Sequence, residues 1–196
     1  MSEKNSTQQL ILEAVVSCIE KFGIDKITTR KIAQEAGTNI ASINYYFRSK
    51  DELLSAALSM TIHHMMEDVT KAIDDAQRPL EEVLESVFFY LLDGSLQFPG
   101  VSTAHLYKAI TEKKYDSISA QALIKVFERL VERVMRDDSQ RDPVETRLLL
   151  SQILSSIMFT MLAPNFFNVA RKYQFTSTDH AKNLAVHYTK LFLNSK

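Results

Sequence analysis

The chain has 196 residues, 45% of them hydrophobic and 24% charged, with a formal net charge of −1. This composition excludes collagen-like, disulfide-scaffold and disordered classes. Four glycines and four prolines supply too few turns for a many-stranded β fold, which needs one about every 8–12 residues. The single cysteine excludes an internal disulfide and a cysteine-based zinc site, and it fits a reducing cytoplasm.

The apolar spacing is helical along the chain and predicts about nine helices and no strand. In the first, Ile11, Ala14, Val15, Cys18, Ile19 and Phe22 recur three and four apart. Ser6 with Gln9 forms a capping-box start, and Gly23 supplies the stop. Cys18 lies on the apolar stripe and reads as core, because no basic neighbour is placed to activate it. Thr28 or Thr29 caps a second, short helix ending at Ala36-Gly37. Asn39 caps a third, ending near Phe47.

Ser49 with Glu52 three residues later opens a long fourth helix, about 49–76. Pro79 suits the first turn of a fifth, running to about Gln97. Phe98-Pro99-Gly100 reads as a turn, followed by helices near 101–113 and 117–137. Asp142-Pro143-Val144-Glu145 combines a cap, a first-turn proline and a third-position carboxylate, and starts a helix to about Leu162. Ser177 or Thr178 caps the last, which ends near Leu193. The longest apolar run, Val87 to Leu92, is far short of the roughly 18 residues of a membrane span. The polar start, Met1 to Gln9, does not read as a secretory signal. A cytoplasmic protein with no membrane partner is expected.

Residues 28–47 carry the functional signal. Two short helices meet at Ala36-Gly37-Thr38-Asn39, where Gly37 can adopt the left-handed conformation of a tight turn. Ile32, Ala33 and Ala36 give the first an apolar face, and Ile40, Ile43 and Phe47 do the same for the second. This is the layout of a helix-turn-helix, whose second helix enters the DNA major groove. Off the apolar stripe stand Asn39, Ser42, Asn44, Tyr45 and Tyr46, hydrogen-bonding or stacking side chains with no acid among them. Six basic residues face two acidic ones across 21–50, a net +4, while the remainder of the chain carries −5. That local excess is the footprint of a polyanion site on an otherwise acidic protein.

The run Gly23, Thr28-Thr29, Ile32-Ala33, Ala36-Gly37 and Ile43-Asn44-Tyr45-Tyr46-Phe47-Arg48-Ser49-Lys50-Asp51-Glu52-Leu53 resembles the DNA-binding domain of the TetR family of bacterial transcriptional regulators. The resemblance covers roughly residues 9–55. The remainder fits only as an all-helical regulatory domain of suitable length. The resemblance implies an all-α fold, with a three-helix DNA-binding domain at 1–48 and a helical ligand-binding and dimerisation domain at 49–196, joined by the fourth helix. It implies a homodimer on double-stranded, pseudo-palindromic DNA, under control of a small-molecule effector. By position, Thr29 would hold a phosphate, and Thr38, Asn39, Ser42, Asn44 and Tyr45 would face bases or backbone. Tyr46 and Lys50 would clamp phosphates, Lys50 with a helix N-terminus behind it. The family often has Gly at position 41 and Val and Ser at 38 and 39, where this chain has Ala41, Thr38 and Asn39, so its operator is not transferable.

The eighth helix is apolar on more than one side. Leu150, Ile153, Leu154, Ile157, Met158, Met161 and Leu162 form one stripe, with Leu148, Ser151, Ser155 and Phe159 beside it. Such a helix needs two partners, its own core and a second subunit. Leu150, Ser151, Leu154 and Ser155, with Leu184, Tyr188 and Leu191 of the last helix, form the expected dimer face. His63, Met66, Phe89, His105, Tyr107, Met158 and Phe159 are candidate walls of an effector pocket, since methionine and aromatic walls suit apolar ligands. The same residues at helical spacing also read as ordinary core.

No Gly-rich phosphate loop, His-Glu-x-x-His or nucleophile elbow is present, so no enzyme activity and no cofactor are expected. His63 and His64 are adjacent on a helix and point apart, and His180 and His187 lack company, so no metal site is expected. A competing reading is a helical homodimeric adaptor or assembly protein without ligand-gated DNA binding.

Overall fold

A computed structural model describes residues 3–164, 166 and 175–195. Among them are nine α-helices, one 3₁₀ turn at Ile24–Lys26 and no strand. In chain order the helices are α1 (Glu3–Phe22), α2 (Thr29–Glu35), α3 (Ile40–Tyr46), α4 (Lys50–Asp74), α5 (Leu80–Gln97), α6 (Pro99–Thr111), α7 (Ile118–Asp137), α8 (Pro143–Leu162) and α9 (Thr178–Asn194). The all-α fold expected from periodicity is the fold observed.

Local chemistry sets most of the starts. Thr28, not Thr29, caps α2, its hydroxyl accepting from the Lys31 N–H. Ser49 accepts from Glu52 N–H at 3.1 Å, while the Glu52 carboxylate reaches back to Arg48 N–H at 3.0 Å. Asp142 accepts from both Val144 and Glu145, and Ser177 accepts from His180. Two starts differ from expectation. α1 already begins at Glu3, upstream of Ser6, whose side chain lies outside the described residues. Pro99 and Gly100 are not a turn but the first residues of α6. Proline suits a first helical position because it has no N–H to leave unpaired and its φ is already helical.

The described residues form two compact units. One comprises the residues up to His64 together with Gly100–Ala120. Its core holds Ile11, Val15, Cys18 and Ile19 of α1, Ile32 and Ala33 of α2, Ile43 of α3, Leu53 and Ala57 of α4, and Val101 and Ala104 of α6. Cys18 is fully buried among them, which raises its thiol pKa, as a core role requires. Each fully buried aliphatic side chain contributes about 1.5–3 kcal/mol. The close meeting of α1 and α6 depends on Gly100. Its N–H and that of Val101 both donate to the Glu20 carboxylate, at 3.0 and 2.7 Å.

The other unit comprises Met65–Pro99 and the residues from Gln121 onward. Here α5 packs chiefly against α9 and then α8, burying Val83, Leu84, Val87, Phe88, Leu91 and Leu92. Arg133 is the buried cation of this unit. It donates to the Ile73 and Asp75 carbonyls at 2.7 and 2.8 Å and to that of Arg78, and pairs with Asp137 at 2.6 Å. One guanidinium thereby satisfies carbonyls that the end of α4 and the following loop would leave without partners.

Candidate nucleic-acid interface

The α2–α3 pair is built by two local devices. At the end of α2, Gly37 takes φ 62°, with its N–H on the Gln34 carbonyl at 3.3 Å and Thr38 N–H on Ala33 at 2.9 Å. This double bond closes the last turn of α2 and redirects the chain. Asn39 then starts α3, its Oδ1 accepting from Ser42 N–H at 2.8 Å. Ile43 and Phe47 anchor α3 in the core, 1% and 3% exposed, which fixes the face it presents outward.

Each residue expected to contact DNA keeps some exposure to solvent. Asn39, Asn44 and Tyr45 are exposed, and Thr29, Thr38, Ser42, Tyr46 and Lys50 are half-buried. Tyr45 and Tyr46 meet edge to face at 5.1 Å, and Tyr46 rests against Phe47 and the core. The backbone of α3 and the first turn of α4 bring these side chains onto neighbouring elements of one unit. Ile40 differs from expectation. As the first residue of α3 it lies a turn beyond the core and is 44% exposed, so it is not part of the apolar anchor. An apolar side chain beside Asn39 and Ala41 on the outer face is suited to a thymine methyl. Its place directly after the cap was the signal for it.

Charge supports the same surface. Lys21 is held by Glu35 at 2.6 Å, and Ser17 donates to the same oxygen at 2.7 Å. Lys21 first, and then Ser17, keep the Glu35 carboxyl below its usual pKa. Lys31 bonds the Lys26 carbonyl at 2.9 Å and lies over the Phe22 ring. Among the described residues, Lys26, Arg30, Arg48 and Lys50 enter no ion pair. Four cations without acidic partners on α2, α4 and their approaches are available to phosphates.

The other expected residues divide between the units. His63, His105 and Tyr107 belong to the first, and Met66, Phe89, Met158 and Phe159 to the second. His63 is exposed. Both ring nitrogens of His105 are engaged, by the Thr61 hydroxyl at 3.0 Å and the Ser119 hydroxyl at 2.8 Å. Burial lowers its pKa to about 4 and keeps it neutral. In the second unit a cleft of about 470 Å³ is lined by Asp74, Lys125, Glu128, Arg129 and other polar residues, none of them expected pocket walls. On the expected dimer face two residues need correction. Leu150 is 0% and Tyr188 9% exposed within their own unit, so neither has surface left for a second subunit. Leu148, 56% exposed, and Leu191, 52% exposed, are the outward apolar residues, with Ser151 and Ser155 exposed and Leu154 and Leu184 half-buried.

A glycine-turned pair of short helices, the second with a polar outer face beside unpaired cations, defines a helix-turn-helix DNA-binding protein. Residues 11–57 match the model of the bacterial regulatory proteins of the tetR family. Over those residues the chain carries the DNA-binding domain of that family. It is 26% identical over 167 residues to the nucleoid occlusion factor SlmA of Vibrio campbellii, covering 80% of this chain and 82% of that one. It is also 26% identical over 70 residues to the nicotine-responsive transcriptional repressor HdnoR of Paenarthrobacter nicotinovorans, covering 36% of each chain. In fold it is similar to a transcriptional regulator of Rhodococcus sp. Rha1, with a TM-score of 0.76 at 16% identity and 95% of both chains covered. Among the described residues no helix is long and apolar enough to cross a membrane.

Proposed function

We propose that the chain is a homodimeric repressor that binds a pseudo-palindromic operator through α3 and is released by a small-molecule effector. The observation that carries this reading is the Asn39-capped, core-anchored α3 with its acid-free outer face. Residues 1–48 act as the DNA-binding head, and 49–196 as the ligand-binding and dimerising part. Thr38, Asn39, Ile40, Ser42, Asn44 and Tyr45 face the groove, while Thr29, Tyr46 and Lys50 hold phosphates. Leu148, Ser151, Ser155 and Leu191 receive a second copy. A two-fold dimer matches half-sites about one helical turn apart or more. Release requires that the effector bind more tightly to a state in which the two heads no longer fit successive grooves. A relative named as nicotine-responsive supports control by a small molecule.

Selection of bound duplexes from a random pool at physiological salt tests the reading. An enriched pseudo-palindrome is expected. Folded, dimeric protein that enriches nothing would remove it in favour of the adaptor.

A second reading has its own support. The relative matched along 80% of this chain is a nucleoid occlusion factor, whereas the repressor matches over 36%. Genome-wide occupancy separates the two. A few sites beside promoters support the operator reading, and many sites spread along the chromosome support the nucleoid one.

A further inference from the structure

The cleft of the second unit, about 470 Å³, has the volume of a small-molecule site. Ile73 and Asp74 at the end of α4 line one side and α7 lines the rest, all within that unit. Lys125, Glu128, Arg129, Glu132, Arg133 and Arg136 are spaced so that they share one face of α7. A lining this polar suits a hydrophilic ligand, since apolar ligands need apolar walls.

Acids and cations three or four residues apart on one helix face are placed to pair. Among the described residues, the α7 charges that line this cleft form no ion pair with one another. They are drawn to neighbours instead. Arg129 pairs with Asp74 of α4, and Glu128 takes two bonds from Arg147 of α8, at 2.8 and 2.7 Å. Arg133 and Arg136 share Asp137, at 2.6 and 3.3 Å. The face is left open rather than closed by its own charges.

The balance of charge favours an anion. Lys125, Arg129, Arg133, Arg136 and Arg147 stand against Asp74, Glu128, Glu132 and Asp137, a net +1, in a chain that carries −5 outside residues 21–50. The Arg133 charge is 2% exposed and is fixed by the Ile73, Asp75 and Arg78 carbonyls. Donors are in excess as well. Arg129 gives one nitrogen to Asp74 and Arg136 one to Asp137, and neither guanidinium has another acceptor among the described residues. Lys125 is exposed and enters no ion pair there. A carboxylate seats on a guanidinium fork through two parallel N–H···O bonds.

We propose that this cleft binds a small organic acid with more than one carboxylate. Arg129 and Lys125, one turn apart on α7, hold the first carboxylate, and Arg136 takes the second. Glu132 is the like charge on the same face and weakens the site. This gives the effector of the reading above a place and a chemical class, and it rests on that reading for any consequence at DNA.

The test uses the full chain, with succinate, citrate and inorganic phosphate as probes at constant ionic strength, against chloride. Isothermal titration without DNA should show saturable binding of succinate or citrate, with a dissociation constant of about 1 mM or lower. Lys125→Gln, at an exposed residue with no ion pair to lose, should weaken that binding about tenfold. Arg129→Lys keeps a cation beside Asp74, loses the fork and should also weaken it. Glu132→Gln removes the like charge and should tighten it. Saturation by phosphate alone would overturn the carboxylate assignment. No saturable binding of any probe, or binding that both Lys125→Gln and Arg129→Lys leave unchanged, would overturn the site. Affinity for a duplex enriched by pool selection should fall when the carboxylate is bound, and unchanged DNA affinity would overturn the effector role. A selection that enriches nothing sinks the DNA-binding reading and leaves the titration, made without DNA, to decide the site.

Discussion

The Glu20 carboxylate receives the N–H groups of Gly100 and Val101, 80 residues away, at 3.0 and 2.7 Å. Gly100 can come this close because it has no side chain. A Cβ there would lie 2.8 Å from the Ile19 carbonyl oxygen and 2.9 Å from the Glu20 Cα. Both are backbone atoms of α1 and neither can swing aside. Gly100→Ala should therefore cost about 1–3 kcal/mol, the usual penalty of overpacking, although alanine is the better helix former. Glu20→Ala leaves two helix-start N–H groups without their acceptor and should cost about 1–2 kcal/mol. Urea unfolding of the two single variants checks both. A Gly100→Ala protein as stable as the parent would show that α1 and α6 separate freely.

His105 predicts how stability varies with pH. Burial lowers its folded pKa to about 4, between the Thr61 and Ser119 hydroxyls. The unfolded chain takes up the proton near the ordinary value of about 6.5. The unfolded state thus binds more protons between these values, and stability falls as pH falls. The contribution is complete above about pH 6.5 and is lost progressively toward about pH 4. His105→Gln keeps a donor and an acceptor and does not titrate. Melting temperatures between about pH 7 and about pH 4.5, a span chosen to bracket that titration, should decline less steeply in this variant. Parallel declines would place the acid sensitivity elsewhere.

The helix starts were legible because caps are local. Asn39, Ser49, Asp142 and Ser177 each bond an N–H two or three residues on, and sequence shows all of it. The face of α3 was legible for a similar reason, since Ile43 and Phe47 four apart must turn inward. Ile40, three before Ile43, broke the pattern because the first turn of a short helix overhangs the core. The Glu20 clasp on α6 was not legible, being a tertiary contact with no local spacing. On α8 periodicity failed for a physical reason. With Leu148, Leu150 and Leu154 on adjoining stripes, it cannot tell which one packs inside, and Leu150 proved to be core. The positive φ of Lys113 past the end of α6, 55°, could not be read either, because lysine does not favour that conformation as glycine or asparagine does.

Two hydroxyls are buried without a hydrogen-bond partner among the described residues, Thr146 Oγ1 and Thr189 Oγ1. Thr189 is fully buried. An unsatisfied buried hydroxyl costs about 1–3 kcal/mol, and valine has nearly the same shape. Thr189→Val should raise the melting temperature by about 2–4 °C if it recovers about 1 kcal/mol. Calorimetry at fixed protein concentration measures it. A lower melting temperature would mean that the hydroxyl has a partner in solution, such as a bound water.

Asn39 has two separable parts. Its Oδ1 caps α3 through Ser42 N–H, while its amide N–H₂ lies on the exposed outer face. Asn39→Asp keeps the capping oxygen and adds a negative charge at a helix start, where it stabilises by about 0.3–1 kcal/mol. The melting temperature should hold or rise. The same charge would face phosphates and the acceptor-rich edges of purines in the groove. Affinity for a selected duplex should fall by tenfold or more. Asn39→Ser also caps, is neutral, and should change which sequence is preferred rather than abolish binding. Alanine at 39 removes both functions and cannot separate them, so the aspartate is the informative variant. Full DNA affinity in a stable Asn39→Asp protein would mean that the start of α3 stays outside the groove, and the docking of this helix would have to be redrawn.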